Sequence, residues 1–178
     1  MRKEFFDVLK CSILLEKNAA GFLYRISRII DDEWSSMALR YIARESEDHA
    51  KILEDICRVY ELYDLEIAIE EYKRITGAKG AEIIDRYKRI IEKLDSGWKP
   101  EREELLKILK EQTTVEKLAG EDIYVQFLLK LLEQTIDFKL LLRKNAIFKL
   151  LLKSISEEEE KHIELIKRVI EHLAVNRL

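Results

Sequence analysis

The chain is short of the residues that break helices, with one proline and five glycines in 178 positions. With so few turn formers, and with 38% of residues charged, long helices are favoured and little room is left for sheet. The expected fold class is all-α. Cysteine is scarce too. Cys11 and Cys57 make no CxxC pair, which excludes zinc-ribbon and rubredoxin-type iron sites and leaves two buried free thiols as the expectation. Long apolar runs are missing: no uncharged stretch exceeds the seven residues of Asn18–Tyr24, against the ~20 that a membrane-spanning helix needs. Behind Arg2 and Lys3, the charges of Asp7, Lys10 and Glu16 interrupt what would be a signal's apolar core. A cytoplasmic protein without membrane or secretory segments is expected. Surplus positive charge is also lacking. At a net charge of −3, with no clustered Lys or Arg, nothing supplies the counterion release that holds a nucleic-acid backbone. Asn and Gln number three each beside abundant Lys, Glu and Ile, a usage seen in thermophile proteins.

What is present is helical periodicity. Apolar residues recur every three or four positions in four stretches, the mark of bundle seams, and 178 residues suit one domain with its own core. The expected core helices cover about 3–30, 33–62, 121–143 and 146–174. A helical crossover over about 63–120, broken at Gly77, Gly80, Ser96–Pro100 and Gly120, contains short helices near 81–95 and 101–118. Asp31 and Asp32 supply the first turn and cap.

The second stretch steps 3-4-3-4 through Leu39, Ile42, Ser46, His49, Leu53, Ile56 and Tyr60, and the last repeats those steps through Leu152, Ile155, Glu159, His162, Ile166, Val169 and Leu173. The two are offset by a constant 113 residues, so Ser46 matches Glu159 and His49 matches His162. In the first stretch Glu16 interrupts the seam of Phe6, Leu9, Ile13, Ala20 and Leu23; in the third, Glu133 lies with Leu129, Ile136 and Leu140. Antiparallel pairing about the turn at residue 31 puts Glu16 level with Ser46. Pairing about the break at Arg143–Asn145 does the same for Glu133 and Glu159. Taken singly, a histidine in a glutamate-rich helix is more often solvated or a satisfied core residue, and a run such as Glu157–Glu160 is most simply a solvated face. Two of the three histidines falling at matching seam positions, each level with a seam glutamate, is a coincidence that those readings leave unexplained. Buried carboxylates and imidazoles are costly unless paired or bound to metal.

Bundles hold paired metals with one Glu on each of two helices and a Glu-x-x-His on each of the others. The segments LLEKNAAGFLYRI (14–26), IARESEDHAKIL (42–53), LLEQTIDFKLLL (131–142) and EEEEKHIEL (157–165) together resemble the ferritin-like, rubrerythrin-type di-iron carboxylate proteins. The resemblance spans the four core helices and leaves out the crossover. It implies a ferritin-like four-helix bundle of two antiparallel hairpins joined by a crossover between helices 2 and 3. It implies Glu16 and His49 as terminal ligands of one metal, Glu133 and His162 of the other, and Glu159 as a bridge. The metals would be iron, with manganese or zinc as alternatives, and the activity peroxide or oxygen reduction or ferroxidation. A homodimer would be expected, served by a separate electron-donor protein because no rubredoxin-like domain is present.

Three departures stand against this pattern. Ser46 occupies the place of the second bridging carboxylate. Glu45 and Glu47 lie about 100° to either side of that seam. The family's inward tyrosine, seven residues after the helix 1 glutamate, is Leu23 here. The competing expectation is therefore a ferritin-like module with a degenerate, metal-free site that acts in structure or interaction; an iron-storage subunit is a third. His172 is expected at the surface, and Trp34 and Trp98 at the bundle ends.

Overall fold

The computed structural model describes residues 2–119, 128 and 146–175. Among them every long regular element is a helix: α1 Arg2–Ile29, α2 Glu33–Val59, α3 Ile69–Asp95, α4 Arg102–Lys117 and α5 Ala146–Val175. None is long and apolar enough to cross a membrane.

Local chemistry sets the breaks. Asp32 caps α2, its carboxylate accepting the Ser35 N–H at 2.7 Å, which satisfies one of the donors a helix start leaves open. At the end of α3 the chain turns through Gly97, whose φ of 89° lies in the region glycine enters without penalty. Gly77, at φ 74°, kinks α3 near its start and divides what sequence periodicity had separated as a preceding break and a helix over 81–95.

Pairwise contacts give the directions. Phe6 meets Tyr60 at 5.7 Å between ring centroids and Glu16 lies 3.7 Å from His49, so α1 and α2 run antiparallel. Phe22 packs on Tyr87 at 5.0 Å and Arg25 grips Asp95 with two hydrogen bonds of 2.7 and 3.0 Å; α3 therefore runs parallel to α1. Arg86 binds Glu111 and the Tyr87 hydroxyl donates to Gln112 at 2.8 Å, turning α4 back along α3. At the far end of α4, Arg102 donates to the Leu173 carbonyl at 2.9 Å, and Glu116 lies 3.3 Å from His162. Thus α4 and α5 are antiparallel, as are α2 and α5, where Glu45 meets His162 and His49 meets Glu158. The result is a helical bundle in which α1, α2, α4 and α5 converge on one polar centre while α3 closes the side between α1 and α4.

The expected seams are buried. Every seam residue named for the first and last stretches is inside, as is every one for the second except the half-buried Tyr60. Cys11 and Cys57 are free and buried, and burial pushes their thiols up to about 12 and about 11. His172 is exposed beside Asp32, 3.2 Å away. Two placements differ from expectation. Trp34, on the first turn of α2, is 72% exposed rather than packed on a bundle end. Arg102–Lys117, expected within the crossover, packs on α5 and carries a side chain into the polar centre. The stretch 121–143, with Glu133, lies outside the described residues.

Candidate metal centre

Five ionisable side chains from four helices meet in the core. Glu16 of α1, His49 of α2, Glu116 of α4, and Glu159 and His162 of α5 are each at most 3% exposed, so water does not neutralise them. They form two triads that share Glu159, namely Glu16–His49–Glu159 and Glu116–Glu159–His162, each with ligand atoms within 4.8 Å of one another. In the first, His49 Nδ1 lies 3.0 Å from Glu159 Oε1 and 3.7 Å from Glu16 Oε1. In the second, His162 Nδ1 lies 3.3 Å from Glu116 Oε2 and 3.7 Å from Glu159 Oε2. The two imidazoles stack, centroids 5.7 Å apart.

Helical spacing explains the convergence. Glu159 and His162 are one turn apart on α5 and project to the same side, while Glu16 and His49 are brought level by the short turn at 30–32. Sequence reasoning missed Glu116. Its signal was present in the buried steps Leu105, Leu109, Gln112, Glu116 and Ala119, a 4-3-4-3 seam on a helix taken for a connection. Gln112 holds it: the Gln112 amide donates to Glu116 Oε1 while its own oxygen accepts from the Tyr87 hydroxyl. A buried tyrosine thus backs the cluster after all. It comes from α3 instead of α1, where Leu23 is fully buried.

The outer ring nitrogens are held by a crossed pair of carboxylates. His49 Nε2 lies 2.8 Å from Glu158 of α5, and His162 Nε2 lies 3.1 Å from Glu45 of α2. A carboxylate oxygen accepts, so each Nε2 carries a proton and each Nδ1 faces the centre. Glu45 and Glu158 obey the same 113-residue offset as the histidines. Glu45 is therefore no replacement for the missing bridge; it orients the histidine of the other helix. Tyr41, one turn before it, hydrogen-bonds to Glu45 and is pushed up to about 12 by that bond and by burial.

Without metal the cluster holds protons. Burial alone would lower the His49 imidazolium, but contact with Glu159 and Glu16 outweighs it and raises the group to about 11. His162 is raised to about 10 in the same way, by Glu116 and Glu159. Burial, then the charges of Glu16 and Glu116, push Glu159 up to about 8. Burial also works against ionised Glu116, yet contact with Glu159 and His162 outweighs it and keeps this carboxyl below its usual range. Of two carboxyls sharing one buried space, one keeps its proton.

The donors fit a metal. His49 Nδ1, Glu159 Oε1 and Ser46 Oγ are buried without a well-formed hydrogen bond among the described residues, although the first two are only 3.0 Å apart. Orphaned buried polar atoms are rare in folded proteins. Imidazole nitrogen mixed with carboxylate oxygen suits Zn, Fe and Mn better than the all-oxygen sites of Ca or Mg. The buried Glu/His groups can therefore hold a metal ion. No family model, curated protein or solved structure matches the chain.

Proposed function

We propose that this chain is a dinuclear metal protein of ferritin-like type, with iron as its metal and oxygen or peroxide reduction or ferroxidation as its chemistry. Glu16 and His49 hold one ion, Glu116 and His162 the other, and Glu159 bridges them. The observation that carries the reading is the sharing of Glu159 by two buried triads, since a carboxylate with one oxygen turned to each imidazole has the form of a bridge. The course of the helices supports it: α1 and α5 run one way, and α2 and α4 the other, with α3 making the crossover. In this reading α4 takes the place expected for the 121–143 helix, and Glu116 takes the role expected of Glu133.

Iron would supply redox chemistry and open coordination positions for an oxidant. The chain's own residues would bind and orient the ions, exclude water from the core and release to solvent the protons that metal displaces. Glu158 and Glu45 keep each Nδ1 turned inward, which fixes the ligating tautomer. A homodimer and a separate electron-donor protein belong to the same proposal. The test is elemental analysis, with visible absorption, after reconstitution with ferrous iron and exposure to air. Two irons per chain and an oxo-bridge band are expected; no bound metal in carefully reconstituted protein sinks the reading.

A second reading is favoured by one observation, Ser46, which deprives the site of its fourth carboxylate. In it the cluster is a proton-filled ion network in a structural or interaction module. It requires that Glu159→Ala and His162→Ala lower the melting temperature equally with and without added metal, because each strands the partners of a buried ion pair. A fall in melting temperature confined to metal-loaded protein goes against it.

A further inference from the structure

Ser46 is the one seam position where the two halves of the centre differ. It precedes His49 by three residues and matches Glu159 at the offset of 113. It is 1% exposed, and its hydroxyl has no hydrogen-bond partner among the described residues. Neither neighbouring acid supplies the missing carboxylate. Glu45 is turned to His162 Nε2, and Glu47 faces solvent, 3.6 Å from Lys51. Where α5 presents an ethylene carboxylate, α2 presents only a hydroxymethyl group.

We propose that the centre takes a small free carboxylate, of the size of formate or acetate, in place of the side-chain carboxylate that position 46 lacks, with the Ser46 hydroxyl donating a hydrogen bond to it. This rests on the dinuclear metal reading above. Charge and size both point to that ligand class. Glu16, Glu116 and Glu159 bring three negative charges to two divalent ions, so one positive charge is left for an anion. The group missing relative to glutamate is a methylene and a carboxylate, close to acetate in size. An unpartnered buried hydroxyl is a donor that such an anion satisfies. No bond is made or broken apart from coordination and this hydrogen bond. The serine thereby converts a permanent bridge into an exchangeable one, and the centre becomes responsive to small carboxylic acids.

The test uses the full chain loaded with cobalt(II), whose visible spectrum reports coordination, and titrates it with formate, acetate and the bulkier benzoate. Saturable spectral change with formate and acetate but not benzoate is expected. Ser46→Ala should weaken formate about tenfold or more, the effect of removing one hydrogen bond to a charged group. Ser46→Glu should give without formate the spectrum that the wild type gives with it, and should not respond to formate. Two bound cobalt ions with no formate response overturn this inference alone; absence of cobalt uptake by the wild type overturns the metal reading beneath it as well. Ser46→Ala adds no bulk and decides the matter even if Ser46→Glu does not fold. Equal formate affinity in wild type and Ser46→Ala overturns the assignment.

Discussion

Helices α2 and α5 present the same face to the centre with one exception. Each carries a histidine, and each carries, four residues earlier, the glutamate that holds the other helix's histidine: Glu45 holds His162 and Glu158 holds His49. Between them in register, α5 has Glu159 where α2 has Ser46. The shared features are those that orient imidazoles, and the differing one is a carboxylate able to bridge. Orientation of the two histidines is thus built in twice, whereas bridging is built in once. In the dinuclear proposal, any chemistry that needs both ions together depends on Glu159.

That asymmetry sets the order of the expected effects. The largest follows from Glu159→Ala, which touches both triads. Affinity for both ions should fall by more than the ~10–100-fold of an outer-shell change, read by competition titration, and retention of two ions at wild-type affinity breaks the shared-bridge reading. Next come His49→Ala and His162→Ala, each of which should lose one ion and keep the other, giving one metal per chain by elemental analysis. If His49→Ala loses both while His162→Ala loses neither, the halves are not equivalent and the comparison fails.

The crossed carboxylates give a smaller effect with a distinctive pattern. Glu45→Ala should weaken the ion held by His162 and Glu116, and Glu158→Ala the ion held by His49 and Glu16, each by ~10–100-fold. Placing Glu45→Ala in a His49→Ala background, and Glu158→Ala in a His162→Ala background, isolates each ion. An effect on the ion of the variant's own helix, with none across, contradicts the crossing.

The smallest effect is on pH. In metal-free protein Glu159 is raised from 4.5 to about 8, His162 from 6.5 to about 10, and His49 from 6.5 to about 11. In each case the folded state binds a proton that the unfolded state releases sooner, so this contribution declines as pH rises. The histidine contribution is complete below pH 6.5 and lost as pH climbs through about 10 to 11; Glu159 adds a decline between 4.5 and about 8. Metal competes for the same sites, so its affinity should rise over that range as protons leave. Thermal melts of metal-free protein from pH 6 to 9 should show a falling midpoint, and the shift caused by added metal should widen. A metal-free midpoint that rises across this window contradicts the proton-filled cluster.

Much of the centre was legible in the chain because helical period converts spacing directly into direction. Glu16, His49, Glu159 and His162 could be placed inward from their seams, and the register of Glu16 with α2 from the short turn at 30–32. Glu116 was written in the same code, but its helix follows the Gly97 turn and was assigned to the connection. One seam glutamate per helix gives no means of choosing between Glu116 and Glu133. Glu45 and Glu158 were illegible for another reason. Periodicity placed Glu45 about 100° off the seam, facing neither core nor partner, whereas a glutamate side chain is long enough to cross to the next helix once that helix is in place.

The sequence by itself determined an all-helical chain, the inward seams of α1, α2 and α5, the 113-residue repeat and the absence of a carboxylate at position 46. These follow from period, spacing and composition, all of which are local. Only the tertiary structure decided that α4 lies against α5, that Glu116 joins His162, that Tyr87 reaches the cluster through Gln112, and that the outer carboxylates cross. Those depend on which helices are neighbours and at what height, a choice made by packing between segments far apart in the chain, for which one helix's own periodicity carries no record.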